Sequence, residues 1–280
     1  MIPRGWSYSA CLASVVLRAR PYDGRLDNHN QISFADSRDM VEAAKANDLA
    51  EYSITEHVSQ FRPLRESVRF GSVHSAGRIF ANLEEYDMEC RKIDGYYPSV
   101  KIHQGLEVDF APRFGSRVAD FVNQAEWDIL LCSVHEFEDA SDVERTAGRT
   151  SEQEAHARWR DYFRLERLAL ESDFVPFDVL SHPVRMARAL KVFPPEMDEL
   201  LLDLAMKAKR RDKALELNGN DMDYAPDLVR RLAIACSKNG CKVSLGSDAH
   251  YPREVFRNME TAISMVRQFN LELYHPKSKL

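Results

Sequence analysis

The segment "KIHQGLEVDF" (101–110) is a short run rich in Ile, Val and Leu, and charged or turn-forming residues bound it. Runs of this kind are typical of parallel strands that are buried on both faces. The chain contains five further runs of the same character: "AEYSITEH" (50–57), "DILLCSVHEF" (128–137), "FDVLSHP" (177–183), "KALELNGN" (213–220) and "CKVSLGSDAH" (241–250). Together with a strand at about 24–29, they predict seven strands.

Segments with the spacing of amphipathic helices alternate with these strands. They lie at 37–48, 76–94, 151–172, 195–212 and 225–240. Ser151 and Glu154 form a capping box, Pro195 and Pro226 suit a first helical turn, and Gly240 suits a helix end. This βα alternation predicts a distorted TIM-like (β/α)7 barrel, with an open doubly wound sheet as the alternative.

The composition is that of an ordinary globular protein. The chain has 280 residues, is 44% hydrophobic and 29% charged, and carries a net charge of −6. We expect an N-terminal extension at 1–22 and a barrel domain at 23–280. The chain contains no run of about 18 apolar residues, so no membrane span is expected. An acidic chain without a basic block is not expected to bind nucleic acid. Five scattered cysteines without a CxxC pair predict a reduced, cytoplasmic protein.

A histidine or carboxylate stands at or near the end of nearly every predicted strand. These residues are His29, His57, Glu107, His135, His182, Asp248 and His250. A barrel gathers the C-terminal ends of its strands at one mouth, where its chemistry is done. Any one of these residues alone is better explained by structure, since "SDAH" is also a possible helix cap. Buried together, they would repel one another or stay unsatisfied unless cations organised them, so the pattern predicts a multinuclear metal site.

Seven short motifs occur in order along the chain: "DNHNQ" in place of Asp-x-His-x-His, "TEH" in place of Thr-Asp-His, then "GLEVDF", "SVH", "SHP", "LELN" and "LGSDAH". In this series the chain resembles the PHP (polymerase and histidinol phosphatase) family, and most of all its histidinol-phosphatase branch, over residues from about 24 to about 260. The resemblance implies a metal-dependent phosphomonoester hydrolase. Histidinol phosphate, in histidine biosynthesis, is the first expected substrate, and a water shared between metals is the expected nucleophile.

The resemblance also implies two to three divalent ions (Mn, Fe or Zn) and divides their ligands among three sites. The implied sets are His29, Glu107 and Asp248 for the first metal, Glu107, His135 and His182 for the second, and His57 and His250 for the third. Asp248, His250 and His57 are also expected to act in catalysis. Asp36 matches the Asp of the family's Ser-Asp-Gly segment, although it could instead cap the helix that starts near Ser37.

Gln31 departs from the family pattern, because it stands where the family has its second histidine. An amide offers only a neutral carbonyl oxygen, a weaker ligand than imidazole for borderline metals. We therefore expect a looser first metal, or a site that prefers Mn or Fe to Zn.

Two further residues are expected to serve the small phosphorylated substrate. Arg185, in "SHPVRM", is predicted to bind phosphate, with a surface salt bridge as the alternative. Asn218, which ends "LELN", is predicted to orient a ligand.

Three alternatives remain open at this point. The metal motifs do not encode the leaving group, so another small phosphate ester, such as a nucleotide or sugar phosphate, is the second expectation. A metal-dependent amidohydrolase would need an intact His-x-His and usually a carboxylated lysine, and the chain shows neither. A PHP barrel that binds metal without turnover is supported only by Gln31.

Overall fold

The computed structural model describes residues 26–68, 77–145, 150–173 and 176–277. Within these ranges a seven-stranded sheet alternates with helices. The strands are β1 (Leu26–Asp27), β2 (Glu51–His57), β3 (Lys101–Asp109), β4 (Ile129–Ser133), β5 (Val179–Leu180), β6 (Ala214–Asn218) and β7 (Val243–Gly246). The predicted N-terminal extension at 1–22 and the first part of the strand expected at 24–29 lie outside the described residues.

The sheet curves into a nearly closed barrel. Neighbouring strands are parallel and follow chain order from β1 to β7. Backbone bonds then join the segment after β7 to the segment after β1, with Asp248 N donating to His29 O at 2.9 Å and Gln31 N donating to Ala249 O at 3.0 Å. The TIM-like barrel is confirmed, and the doubly wound sheet is wrong because its strand order would not run in sequence.

Helices cover the outside of the barrel. The described helices are α1 (Ser37–Ala46), α2 (Arg62–Ser67), α3 (Leu83–Tyr96), α4 (Gly115–Val122), α5 (Glu152–Glu171), α6 (Met197–Arg210), α7 (Gly219–Tyr224), α8 (Pro226–Asn239) and α9 (Met259–Phe269). Among the described residues, none of these is both long and apolar enough to cross a bilayer.

The end signals of two helices are confirmed. Ser151 and Glu154 form the capping box of α5. Pro226 opens α8, and Gly240 ends it with a φ of 61°, a left-handed conformation that glycine adopts without a steric penalty. Other boundaries differ from the prediction. Asn82 caps α3, well after the expected start at 76, and Pro195 precedes the first residue of α6.

The core has two parts. A large cluster lies between the sheet and the helices, and a small one consists of Ile129, Leu131, Val179 and Ala214. Ile129 and Leu131 share a face of β4 with Ser133, whose hydroxyl donates to Glu107 Oε1 at 2.5 Å. The small cluster therefore fills the inside of the barrel, beneath a polar mouth.

Candidate metal centre

The structure brings the predicted polar residues to the C-terminal mouth of the barrel. His57 ends β2 and Glu107 lies within β3. The others stand on the loops that follow shorter strands than predicted: His29 after β1, His135 after β4, His182 after β5, and Asp248 and His250 after β7. The predicted strands at 128–137, 177–183 and 241–250 were thus too long.

Glu107 lies at the middle of the cluster and is fully buried. Its Oε1 is 3.0 Å from His182 Nε2 and 3.3 Å from His135 Nε2. Its Oε2 is 3.1 Å from His29 Nε2 and 3.1 Å from His57 Nδ1. One carboxylate is therefore surrounded by ring nitrogens from four strands or the loops that follow them.

Asp248 extends the cluster toward the opening. Its Oδ1 lies 3.7 Å from His29 Nε2 and 3.8 Å from His250 Nδ1. The His250 ring packs edge-on against Phe34, with the ring centroids 4.8 Å apart. His250 is the outermost of the clustered histidines, because its side chain keeps 21% of its surface exposed.

Gln31 is buried beside the central carboxylate. Its Nε2 donates to Glu107 Oε2 at 3.0 Å. Its Oε1 is buried and has no hydrogen-bond partner among the described residues. A buried oxygen atom that accepts no hydrogen bond destabilises the folded protein, so a cation beside it would be stabilising.

Asp36 lies outside the cluster, which corrects its expected place as a ligand. The residue is exposed, and its carboxylate accepts a hydrogen bond from Arg38 N at 2.9 Å at the start of α1. The helix-capping interpretation describes Asp36 in this structure.

Arg185 is buried rather than part of a surface salt bridge, with 4% of its side chain exposed. Its Nη2 donates to Asp248 Oδ2, and its Nε lies 2.9 Å from Asp221 Oδ1. Asn220 Nδ2 also donates to Asp248 Oδ2, at 3.1 Å. These donors fix one oxygen of Asp248 and leave the other facing the histidines.

Two carboxylates that contact the cluster were not predicted. Glu216 Oε1 lies 2.9 Å from His29 Nδ1, and Asp109 Oδ1 lies 2.6 Å from His135 Nδ1. Glu216 lies two positions before Asn218, and Asp109 lies two positions after Glu107. Asn218 and Glu107 were both selected from the sequence, and residues two positions apart on a strand share a face. This spacing was the signal that could have found them.

His182 has an unusual backbone conformation, with a φ of 33°. The side chains of consecutive residues on a strand point to opposite faces of the sheet. Ser181 nevertheless contacts Ser133 inside the barrel, and His182 contacts Glu107 there as well. The left-handed turn at His182 allows both side chains to face inward.

Burial and charge oppose each other in this cluster. Burial alone would raise the pKa of Glu107, but His57 and His29 outweigh it and hold that pKa well below its usual range. Burial alone would lower the pKa of His29, but the carboxylates of Glu216 and Glu107 hold it well above its usual range. The centre therefore favours ionised carboxylates that face positive charge.

The cluster forms the floor of a cavity of about 570 Å³. Among the residues that line it are Arg188, Tyr224, Tyr251 and Arg253. Arg188 lies over the Tyr224 ring, 4.8 Å from its centroid, and Arg253 lies over the Tyr251 ring at the same distance. The cavity is large enough to hold a small molecule.

The donor set fits divalent metal ions. The ligand atoms of Glu107, His135 and His182 lie within 4.8 Å of one another, and those of His57, Asp109 and His135 do so as well. Mixed imidazole and carboxylate sets suit Zn, Mn and Fe. The buried Gln31 Oε1 adds an oxygen whose position calls for a positive partner.

Comparison with known proteins defines the class. The model of the PHP domain matches residues 26–220, so this chain belongs to the PHP domain family.

Within that family, the chain is similar to histidinol-phosphatases. A histidinol-phosphatase from Lactococcus lactis subsp. lactis is 26% identical over 263 residues, 87% of this chain and 91% of the relative. A probable histidinol-phosphatase from Deinococcus radiodurans is 28% identical over 200 residues, 66% of this chain and 72% of the relative. The fold is similar to a crystal structure of histidinol phosphate phosphatase from Lactococcus lactis subsp. lactis complexed with zinc, L-histidinol and phosphate, with a TM-score of 0.73, 22% identity, and coverage of 91% of this chain and 97% of that one.

Proposed function

We propose that this chain is a metal-dependent phosphatase that hydrolyses histidinol phosphate. The observation that carries the proposal is Glu107, a fully buried carboxylate with four imidazole nitrogens within 3.3 Å at the floor of an open cavity. Relatives that align with most of this chain are named histidinol-phosphatases, which supports the choice of substrate.

We propose two to three divalent ions, Mn, Fe or Zn, with Glu107 shared between two of them. The proposed ligand sets are His29, Glu107 and Asp248, then Glu107, His135 and His182, then His57 and His250, with Gln31 beside the first. Bound there, such ions would withdraw charge from the phosphoryl oxygens and lower the pKa of a water. Asp36 is left out because it is exposed and caps α1.

The chain's own residues would bind and orient the substrate. Asp248, His250 and His57 line the cavity, and we assign them the catalytic positions beside the phosphate end of the substrate. Arg185 also lines the cavity, and we assign it the place beside the phosphate. Asn218 Oδ1 lies 3.4 Å from Arg185 Nη2 and helps to hold that guanidinium.

The test compares substrates on protein loaded with Mn or Zn. We expect kcat/KM for histidinol phosphate to exceed that for a sugar phosphate and for a nucleoside monophosphate by at least ~100-fold, because polar groups in a specific cavity stay unpaired with the wrong leaving group. A chelator should abolish phosphate release, and added Mn should restore it.

The alternatives predict different results in the same assay. Equal or higher kcat/KM for the sugar or nucleoside phosphate would assign the chain to another phosphate ester. Metal binding without phosphate release from any of the three would identify a barrel that binds metal without turnover.

A further inference from the structure

Glu216 is a second buried carboxylate in the barrel, and its side chain is 1% exposed. Its Oε1 lies 2.9 Å from His29 Nδ1. Its Oε2 accepts from the His182 backbone N–H at 2.7 Å and from Asn218 Nδ2 at 3.0 Å. One side chain on β6 therefore contacts the loops after β1 and β5, each of which carries a proposed ligand.

The contact with Glu216 favours a His29 ring that carries its hydrogen on Nδ1. A carboxylate oxygen accepts hydrogen bonds, so the contact with Glu216 is a hydrogen bond when His29 Nδ1 carries the hydrogen. Its Nε2 faces Glu107 Oε2 at 3.1 Å and Asp248 Oδ1 at 3.7 Å, and a metal ion held at Nε2 would leave the ring its hydrogen on Nδ1. Carboxylates that hold a metal-binding histidine in this way fix the ring orientation and raise its basicity.

The contact with His182 acts on the backbone. A non-glycine residue with a left-handed φ, here 33°, is strained and persists where its surroundings hold it. The hydrogen bond from His182 N to Glu216 Oε2 stabilises this turn. With the turn in place, His182 Nε2 lies 3.0 Å from Glu107 Oε1.

Gly246 on β7 leaves space for the side chains of Glu216 and His29. A Cβ atom at Gly246 would lie 2.1 Å from Glu216 Oε1 and 2.4 Å from His29 Cβ. Real Cβ atoms do not approach other atoms so closely, so any larger residue would displace the carboxylate or the imidazole.

We propose that Glu216 is a positioning residue that fixes His29 with its hydrogen on Nδ1 and holds the left-handed turn at His182, so that both rings present Nε2 to the centre. The proposal rests on the metal centre of the proposed function. It concerns ring orientation and metal affinity, which can be measured without turnover.

The test uses Glu216→Ala and Glu216→Gln, with Glu166→Gln as the matched control. Glu166 is buried to the same degree, and no described contact joins its side chain to a proposed ligand. Competition with a chelator should show Zn affinity lowered about 10–100-fold in Glu216→Ala, less in Glu216→Gln, and unchanged in the control. Because Gly246→Ala displaces the same pair from the other side, it should lower the affinity as well, and it replaces Glu216→Ala if that variant does not fold.

A second readout separates positioning from general stability. In zinc-loaded protein, the ¹H–¹⁵N spectrum should show an exchange-protected His29 Nδ1–H in the wild type and in Glu166→Gln, and should lose it in Glu216→Ala. If Glu216→Ala keeps this signal and binds Zn within twofold of the wild type, the positioning role is wrong while the proposed function stands. If the wild type binds no metal, both are overturned.

Discussion

At the scale of single residues, we propose that Gln31 has the largest effect on which metal the centre prefers. Its amide donates to Glu107 at 3.0 Å, and its Oε1 is buried without a hydrogen-bond partner among the described residues. An amide oxygen binds Zn less well than an imidazole nitrogen, whereas Mn accepts oxygen ligands readily. Gln31 would therefore lower the preference for Zn without removing the site.

Replacing Gln31 by histidine tests this reasoning. Gln31→His should tighten metal binding and move the preference toward Zn, while Gln31→Ala should contain the least metal after purification. Elemental analysis and chelator competition measure both effects. If both variants match the parent in metal content and affinity, Gln31 does not face a metal.

Arg185 gives a second prediction at this scale. In chelator-treated protein, Arg185→Ala should lower the free energy of unfolding by about 3–5 kcal/mol, because it leaves the buried Asp221 and Asp248 without their cation. Urea unfolding measures the loss. Arg188→Ala is the control, since that side chain is 37% exposed and its ion pair with Glu144 contributes only about 0–1 kcal/mol. Equal losses in the two variants would contradict the buried role of Arg185.

At the scale of elements, the sequence predicted those features that depend on residues close together in the chain. The seven strands and the capping box of α5 were predicted because an apolar run and a capping box each involve residues close together in the chain. β5 is only Val179–Leu180, shorter than its apolar run, because the left-handed turn at His182 ends it. Glu216 was missed because its partner His29 lies 187 positions away, and only the closed barrel brings the two together.

The buried Glu166 on α5 predicts how stability depends on pH. Burial raises the pKa of Glu166 well above its usual range, so the folded protein keeps a proton that the unfolded chain loses above a pKa of about 4.3. The folded state then binds more protons than the unfolded state, and its stability falls as pH rises above that value.

Glu166→Gln removes this dependence. We expect the variant to gain stability relative to the wild type as pH rises from 5 to 8, measured by urea unfolding at both values. Glu171→Gln serves as the control, because Glu171 is on the same helix with 51% of its side chain exposed. If the difference between Glu166→Gln and the wild type does not change with pH, Glu166 is ionised in the folded protein.

At the scale of the whole molecule, the barrel turns residues scattered through the sequence into one centre. Its interior is apolar at the level of Ile129, Leu131, Val179 and Ala214, and polar above them. This apolar cluster limits water to one side, and the carboxylates at the mouth are buried against histidines rather than solvated. Such an arrangement suits closely spaced cations, and we propose that its one open face receives the phosphate.

The most direct test of this account is a metal titration that follows phosphate release. Chelator-treated protein is supplied with Mn in steps, and the hydrolysis of histidinol phosphate is measured at each step. Because Glu107 is proposed to be shared by two ions, we expect no release without metal and full activity only after at least two equivalents per chain. Full activity without metal, or with no more than one equivalent per chain, would contradict the multinuclear phosphatase proposed here.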